Sequence, residues 1–257
     1  MALDTEELFT TTAPPPQTVS ASVRERFAHI DTWVFDLDNT LYPAGSPVWP
    51  AIDERITLYL AALFGLDGLS ARGLQKYYYR RYGTTLRGLM EEHTISSEEF
   101  LRFVHDIDRT MLAANPDLSR ALALLPGRKL ILTNGSREHA LRTTEQLGLG
   151  GAFEDVFDIV SAELVPKPDP SVYDRFLVRH GVDPARAVMF EDMTRNLVVP
   201  HERGMLTVLV VPKATELDHR EPWEAEGASE AYVDFVTDDL AGFLKSLILT
   251  DLAGRPG

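Results

Sequence analysis

The chain has 257 residues, of which 44% are hydrophobic, enough for one large α/β domain or for a core domain with a smaller insert. Its 25 basic residues are outnumbered by 39 acidic ones. The resulting net charge of −14 argues against a general nucleic-acid binder, because a phosphate backbone requires a basic surface. The sequence contains no cysteine, which excludes disulfide bonds, thiolate metal sites and cysteine nucleophiles.

The N-terminal segment 1–22 is predicted to be a loose tail, since the prolines at 14–16 oppose both helix and central strand. Residues 1–7 are acidic and lack the apolar centre of a signal peptide. No apolar run in the chain approaches the length of a membrane span. We therefore expect a cytoplasmic protein with no membrane partner.

Short apolar runs that alternate with helical periods predict a parallel sheet. The first run, Trp33–Phe35, is uniformly apolar, as is typical of a strand buried on both faces. Further strands are expected at 129–132, 156–160, 187–190 and 207–211, with an edge strand at 232–236. Helices are expected at about 137–147, 171–180, 196–203 and 239–249, and a polar surface loop at 212–230. This alternation predicts an α/β fold with a doubly wound sheet.

The segment between the first two strands has helical periods and no strand pattern. Helices are expected at 48–64, 70–82, 85–92, 96–111 and 117–125. Five helices are too many for a simple crossover between neighbouring strands. We therefore predict a helical subdomain at 43–125, inserted into a core formed by 23–42 and 126–257.

Polar residues directly follow three of the predicted strands. Asp36 and Asp38 follow the first, Thr133 and Asn134 follow the second, and Glu191 with Asp192 follows the fourth. In doubly wound sheets ligands bind outside the carboxyl ends of the strands, so these clusters are expected to meet in one crevice. Two neighbouring carboxylates repel each other unless a cation or a proton separates them, and this favours catalysis. The alternative is a simple turn, which Asp-Leu-Asp-Asn would also form.

These motifs resemble those of the haloacid dehalogenase superfamily of aspartate-nucleophile phosphohydrolases. The matching segments are Asp36–Thr40, Thr133–Asn134, Lys167–Pro168 and Glu191–Asp192 with Asn196. They occur in the family's order and extend through the predicted core. The helical insert is similar to the family's cap domain. The resemblance therefore implies this α/β fold, a helical cap and phosphoryl-transfer chemistry.

The resemblance assigns roles to the two aspartates and to a metal ion. It implies that Asp36 attacks phosphorus, while Asp38 protonates the leaving oxygen and later activates water. It also implies that Mg²⁺ is held by Asp36, by the main-chain carbonyl of Asp38 and by Asp192. The family's dehalogenases lack an acid at the position of Asp38, so its presence favours phosphoryl chemistry, although sugar phosphomutases share it.

The remaining motif residues are expected to bind phosphate or to support the site. The resemblance implies that the Thr133 hydroxyl and the Asn134 backbone amide hold phosphate oxygens, and that Lys167 offsets negative charge. Glu191 and Asn196 are expected to have supporting roles. Alternatively, Thr133 is a helix N-cap and Lys167 an ordinary surface lysine. His139 is interpreted as a polar helix residue.

Two segments, at 38–43 and 78–89, are similar to the pyrimidine 5′-nucleotidase branch of the family. From this we expect Thr84, Thr85 and Arg87 to contact the substrate. Tyr78 and Tyr82 could stack on a base, or could instead form the core between cap helices.

The function predicted from these features is Mg²⁺-dependent hydrolysis of a small phosphate monoester, foremost a pyrimidine nucleoside 5′-monophosphate. The expected partner is this small molecule, with no nucleic-acid polymer involved. A phosphoglycolate-type phosphatase and a sugar phosphomutase remain alternatives on the same core. A non-catalytic phosphate-binding or interaction module is the alternative from a different class.

Overall fold

A computed structural model describes residues 21–215 and 229–248. Most of the predicted tail, most of the predicted loop at 212–230 and the chain after 248 therefore lie outside the described residues. The first helix, α1 (Ala21–Phe27), includes the last two residues of the predicted tail. No helix among the described residues combines the length and the apolar character needed to cross a membrane.

The described residues form one six-stranded parallel sheet, in the order β3-β2-β1-β4-β5-β6. Its strands are β1 (Thr32–Phe35), β2 (Arg128–Leu132), β3 (Asp155–Phe157), β4 (Ala187–Glu191), β5 (Leu206–Val210) and β6 (Phe235–Thr237). The first strand lies near the centre of the sheet, with β2 and β3 on one side of it and β4 to β6 on the other. This arrangement confirms the predicted doubly wound α/β fold. Phe35 pairs with Ile131 on one side and with Phe190 on the other, so the three central strands end at the same level.

Alternate side chains of β1 enter two different cores, because successive residues of a strand point to opposite faces of the sheet. Trp33 and Phe35 belong to one core, in which the Phe35 ring stacks on Phe190 with centroids 4.8 Å apart. Val34 belongs to the other core, together with Phe176. Helices α7 (Arg137–Gln146), α8 (Pro170–His180), α9 (Val198–Glu202) and α10 (Leu240–Ile248) follow β2, β3, β4 and β6 and cover these faces.

Five helices lie between β1 and β2 in this fully described part of the chain. They are α2 (Val48–Phe64), α3 (Gly68–Tyr82), α4 (Thr85–Glu92), α5 (Ser97–Val104) and α6 (Pro116–Leu124). The first four share a separate apolar core that includes Leu60, Tyr78, Leu89 and Phe100. Helix α6 instead packs on α10, and its Leu118 and Leu122 belong to the core of the sheet. The predicted insert at 43–125 thus includes one helix that packs on the core.

Several predicted elements are shorter in the structure: the strand predicted at 156–160 covers Asp155–Phe157, and the helix predicted at 196–203 covers Val198–Glu202. Two others differ for identifiable local reasons. The helix predicted at 96–111 ends at Val104, and beyond it Asp108 accepts the backbone N–H of Thr110 at 2.9 Å, so this segment forms a turn instead of continuing the helix. The edge strand predicted at 232–236 begins only at Phe235. The Asp234 side chain takes the backbone N–H of Thr207 at 3.0 Å, so a side chain replaces the strand ladder at that position.

Candidate active site

Three carboxylates meet where the central strands end. Asp36 follows β1, Glu191 is the last residue of β4, and Asp192 follows it. All three residues are buried, and each offers a carboxylate oxygen within 4.8 Å of the others. The parallel register causes this convergence, since Asp36 N–H continues the ladder and donates to the Phe190 carbonyl at 2.9 Å.

Lys167 lies in the middle of this cluster and is only 2% exposed. Its Nζ donates to Asp36 Oδ1 at 2.7 Å, to Glu191 Oε1 at 3.1 Å and to the Leu132 carbonyl at 3.0 Å. Asn134 positions the lysine, because its Oδ1 accepts the Lys167 backbone N–H at 2.8 Å. The alternative that Lys167 is a surface lysine is therefore wrong.

The cluster carries more negative than positive charge. Burial and the nearby Glu191 carboxylate raise the pKa of Asp36, against the lowering effect of Lys167. Burial acts to lower the pKa of Lys167, but the charges of Asp36 and Glu191 hold it above its ordinary value. One ammonium group cannot neutralise three carboxylates, so the site has a deficit of positive charge.

The donor set fits a hard divalent cation, which binds carboxylate and amide oxygens. Asp36 and Asp192 offer carboxylates, and among the described residues the buried Oδ1 of Asn196 has no hydrogen-bond partner. Glu191 is already occupied: Oε1 accepts from Lys167 and from Asn196 Nδ2, and Oε2 accepts the Asp192 backbone N–H at 2.9 Å. Glu191 and Asn196 thus order the loop that carries Asp192, as a supporting role requires.

Asp38 has a different environment from Asp36. Its Oδ1 accepts the Tyr42 hydroxyl at 2.5 Å and faces His139 Nε2 at 2.8 Å. Burial acts to raise the pKa of Asp38, but His139 and Tyr42 outweigh it and lower the pKa to about 2. The hydrogen bonds from His139 and Tyr42 therefore favour the carboxylate form of Asp38.

His139 is the site residue that the sequence interpretation missed. It is fully buried at the start of α7 and contacts both Asp38 and Arg109, so it is not an ordinary polar helix residue. Its position in the sequence could have indicated a role in the site, since it lies in the first turn of the helix that follows Thr133. Arg109 gave no such signal, because it was expected within a continuous helix.

The loop after β2 shapes the wall next to Asp38. The Thr133 hydroxyl accepts the Gly135 backbone N–H at 2.9 Å. The N-cap of α7 is Ser136, whose hydroxyl accepts the His139 backbone N–H at 3.3 Å. The alternative that Thr133 caps this helix is therefore wrong.

A cavity of about 120 Å³ lies between the cap helices and this loop. From the core, its walls include Asp38, Asn134 and Gly135. From the cap they include apolar residues and seven polar or charged ones, which are Asp53, Gln75, Lys76, Tyr79, Thr84, Thr85 and His105. The Tyr79 hydroxyl also accepts a hydrogen bond from Arg195 of the core at 3.0 Å, so the cap is connected to the loop beyond Asp192.

The structure brings two of the three predicted cap residues to this cavity. Thr84 lines it and also caps α4 by accepting the Arg87 backbone N–H at 3.1 Å. Thr85 lines it as well, and its hydroxyl donates to the Gln75 carbonyl. Arg87 is not among the lining residues, because its guanidinium pairs with Glu91 one turn further along α4.

The chain is similar in sequence to known proteins. The haloacid dehalogenase-like hydrolase family matches residues 30–197. Phosphate metabolism protein 8 of Saccharomyces cerevisiae is 26% identical over 187 residues, which are 66% of this chain and 58% of that protein. A CBBY-like protein of Arabidopsis thaliana is 28% identical over 107 residues, which are 40% of this chain and 34% of that protein. The chain thus spans less than two thirds of either relative.

Solved structures with the same fold have low sequence identity. A HAD phosphatase from Thermococcus onnurineus is 18% identical with a TM-score of 0.55, over 88% of this chain and 98% of that one. L-2-haloacid dehalogenase from Xanthobacter autotrophicus is 18% identical with a TM-score of 0.51, over 84% and 97%. These likenesses support the fold alone. The family match covers most of the chain, and the chain therefore belongs to the haloacid dehalogenase-like hydrolases.

Proposed function

We propose that this protein is a Mg²⁺-dependent phosphatase that hydrolyses a small phosphate monoester through an aspartyl-phosphate. One observation carries the proposal: two aspartates, two positions apart where β1 ends, have opposite environments. Asp36 is paired with buried Lys167, whereas Asp38 is held by His139 and Tyr42 and lines the cavity. Such a difference between neighbouring carboxylates is what a nucleophile and an acid–base group require.

Asp36 is the nucleophile in this mechanism. Lys167 holds Oδ1 of Asp36, which leaves the other oxygen to attack phosphorus. Mg²⁺, held by Asp36, the main-chain carbonyl of Asp38 and Asp192, would neutralise charge between the carboxylate and the phosphate. The Thr133 hydroxyl and the Asn134 backbone amide would bind phosphate oxygens, and Lys167 would offset the charge of the transferring group.

Asp38 is the general acid and base in this mechanism. It gives a proton to the leaving oxygen and then removes one from the water that hydrolyses the aspartyl-phosphate. The hydrogen bonds to Asp38 favour its carboxylate form, so the acid step needs a proton that arrives with the phosphate. The negative charge of the phosphate supports this uptake, since a like charge nearby raises the pKa of a carboxyl group.

We propose a pyrimidine nucleoside 5′-monophosphate as the substrate. The motifs around Tyr42 and the loop of Thr84 and Thr85 are similar to the pyrimidine 5′-nucleotidase branch, and both threonines line the cavity. The apolar part of the wall, which includes Trp49, suits a flat base. The cavity is smaller than typical sites for ligands of this size, so the cap helices would move outward to admit the nucleotide.

Phosphate release from a panel of monophosphates tests this proposal. The panel contains UMP, CMP, dTMP, AMP, phosphoglycolate and glucose phosphates, each with Mg²⁺ or with a chelator. We expect Mg²⁺-dependent release, strongest from the pyrimidine nucleotides, and none from the Asp36→Asn variant. The name of the yeast relative, a phosphate metabolism protein, supports the reaction class without naming a substrate.

The alternatives give different results in the same assay. Release from phosphoglycolate or glucose phosphates alone would support the phosphatase mechanism and contradict the nucleotide as substrate. Interconversion of sugar phosphates without release of phosphate would indicate a phosphomutase. Turnover that survives Asp36→Asn would exclude the covalent mechanism, and binding without any turnover would indicate a non-catalytic module.

A further inference from the structure

Arg109 is a buried cation with unusual partners. It is 6% exposed, and its guanidinium donates to the Ile107 carbonyl, the His105 carbonyl and the Thr143 hydroxyl at 3.0–3.2 Å. Its fourth contact is from Nη2 to His139 Nδ1 at 2.8 Å. None of these four partners is a carboxylate, so the arginine is directed at an imidazole ring that itself faces Asp38.

This contact determines which ring nitrogen of His139 carries the hydrogen. A guanidinium group can only donate, so Nδ1 must accept from Arg109. The hydrogen of the neutral ring is then on Nε2, which lies 2.8 Å from Asp38 Oδ1 and donates to it. The ring cannot easily turn, because it is fully buried and stacks on His105 with centroids 4.5 Å apart.

The same contacts orient the Asp38 carboxyl group. Oδ1 accepts two hydrogen bonds, from His139 and from Tyr42. Oδ2 faces the loop after β2, 3.8 Å from where a Cβ on Gly135 would be. Gly135 lines the cavity, so Oδ2 is the oxygen available to a bound substrate.

We propose that Arg109 and His139 are positioning residues that direct Oδ2 of Asp38 at the leaving oxygen of the substrate. This inference rests on the proposed phosphatase function. In that step an Asp36 oxygen lone pair forms a bond to phosphorus, and the bond from phosphorus to the alcohol oxygen breaks. The alcohol oxygen keeps the bonding electrons and takes the proton from Asp38 Oδ2. Asp38 becomes a carboxylate whose Oδ1 still accepts from His139 and Tyr42.

The choice of leaving group separates this role from a merely structural one. An alkyl ester such as UMP needs a proton on its leaving oxygen, whereas 4-nitrophenolate departs without one. The measurement is kcat/KM for UMP and for 4-nitrophenyl phosphate, because kcat/KM covers only the steps up to departure of the alcohol. Asp38→Asn should give the largest loss of kcat/KM for UMP, since losing the acid slows this step about 10²–10⁴-fold.

Two substitutions of His139 form a matched pair. Asparagine can place an acceptor near Arg109 but is too short to reach Asp38, whereas glutamine can place an N–H near the position of Nε2. We expect His139→Asn to lower the ratio of kcat/KM for UMP to that for 4-nitrophenyl phosphate about 10- to 100-fold. We expect His139→Gln to restore most of the ratio. Thermal unfolding checks that both variants are folded.

The outcomes distinguish this inference from the proposed function. If His139→Asn lowers both kcat/KM values equally, or if His139→Gln rescues neither, the positioning role is wrong while the phosphatase stands. If His139→Asn does not fold, Arg109→Met gives the second test, and an unchanged ratio in that variant would overturn the proposal. If the wild-type protein hydrolyses no alkyl ester of the monophosphate panel, the proposed function fails and this inference fails with it.

Discussion

Lys167 Nζ lies 2.7 Å from Asp36 Oδ1, although the two residues are 131 positions apart in the chain. Both residues are buried, and the lysine has a second carboxylate partner in Glu191. The ion pair connects the end of β1 to the loop before α8 and also stabilises the carboxylate proposed as the nucleophile. A buried pair of this kind should affect stability as well as catalysis.

Replacing Lys167 by methionine should destabilise the protein by about 3 kcal/mol or more, because it leaves Asp36 and Glu191 buried without their cation. Lys245→Met is the matched control, since Lys245 pairs with Asp117 at the same distance of 2.7 Å but at the surface. That variant should lose about 1 kcal/mol at most. Urea unfolding measures both, and equal losses would show that the burial of the first pair is unimportant.

The sheet and its strand-end residues could be predicted from the sequence because each depends on local pattern. Apolar runs identify the strands, and parallel strands necessarily end at one edge, so Asp36, Thr133 and Glu191 had to converge. Lys167 was less certain from pattern alone, since a lysine in a polar loop is usually exposed. It is buried because Asn134 holds its backbone and two carboxylates hold its ammonium group.

The contacts around Asp38 could not be predicted in this way. Arg109 and His139 are 30 positions apart, and they meet only because the helix predicted to pass through Arg109 ends before it. The orientation of Arg87 also depends on a neighbour, Glu91, rather than on any pattern of the loop. Such details depend on tertiary packing, which propensity and periodicity do not report.

Mg²⁺ should stabilise the protein through the carboxylates of Asp36 and Asp192. A ligand at one hundred times its Kd adds about 2.7 kcal/mol, which raises the Tm of a chain of this size by about 5–10 °C. Thermal unfolding with Mg²⁺ and with a chelator measures the shift. Asp192→Asn should remove most of it, and Asp174→Asn, whose carboxylate pairs with Arg203 at the surface, should keep it. A full shift in Asp192→Asn would place the ion elsewhere.

Asp155 should make stability depend on pH in the acid range. Burial acts to raise its pKa, but hydrogen bonds from Arg137 and His180 lower the pKa from 3.8 to about 2. Between these values the unfolded chain binds the proton more tightly, so the contribution is present above about pH 4 and is lost as the pH falls towards 2. The stability difference between wild type and Asp155→Asn should therefore shrink from pH 6 to pH 3, by less than about 1 kcal/mol because solvent screens the partly exposed carboxylate.

Urea unfolding at the two pH values tests this prediction. Asp106→Asn is the control for loss of a single negative charge, since its carboxylate is 71% exposed and its ion pair with Arg55 is long at 3.7 Å. Asp106→Asn should change the free energy of unfolding by no more than about 0.5 kcal/mol at both pH values. A difference between wild type and Asp155→Asn that is the same at pH 3 and pH 6 would contradict the assigned role of the Asp155 contacts.

Two glycines in neighbouring cap helices should respond oppositely to alanine. A Cβ on Gly88 of α4 would lie 2.5 Å from Cδ1 of the buried Tyr78, so Gly88→Ala forces the ring or the helix to move and should lower stability by about 1–3 kcal/mol. A Cβ on Gly73 of α3 would have no atom within 4 Å, so Gly73→Ala should raise stability by about 0.5–1 kcal/mol through helix propensity. Thermal and urea unfolding compare the two variants. A neutral Gly88→Ala would mean that α3 and α4 separate without loss, and that the close approach at Tyr78 does not hold the cap together.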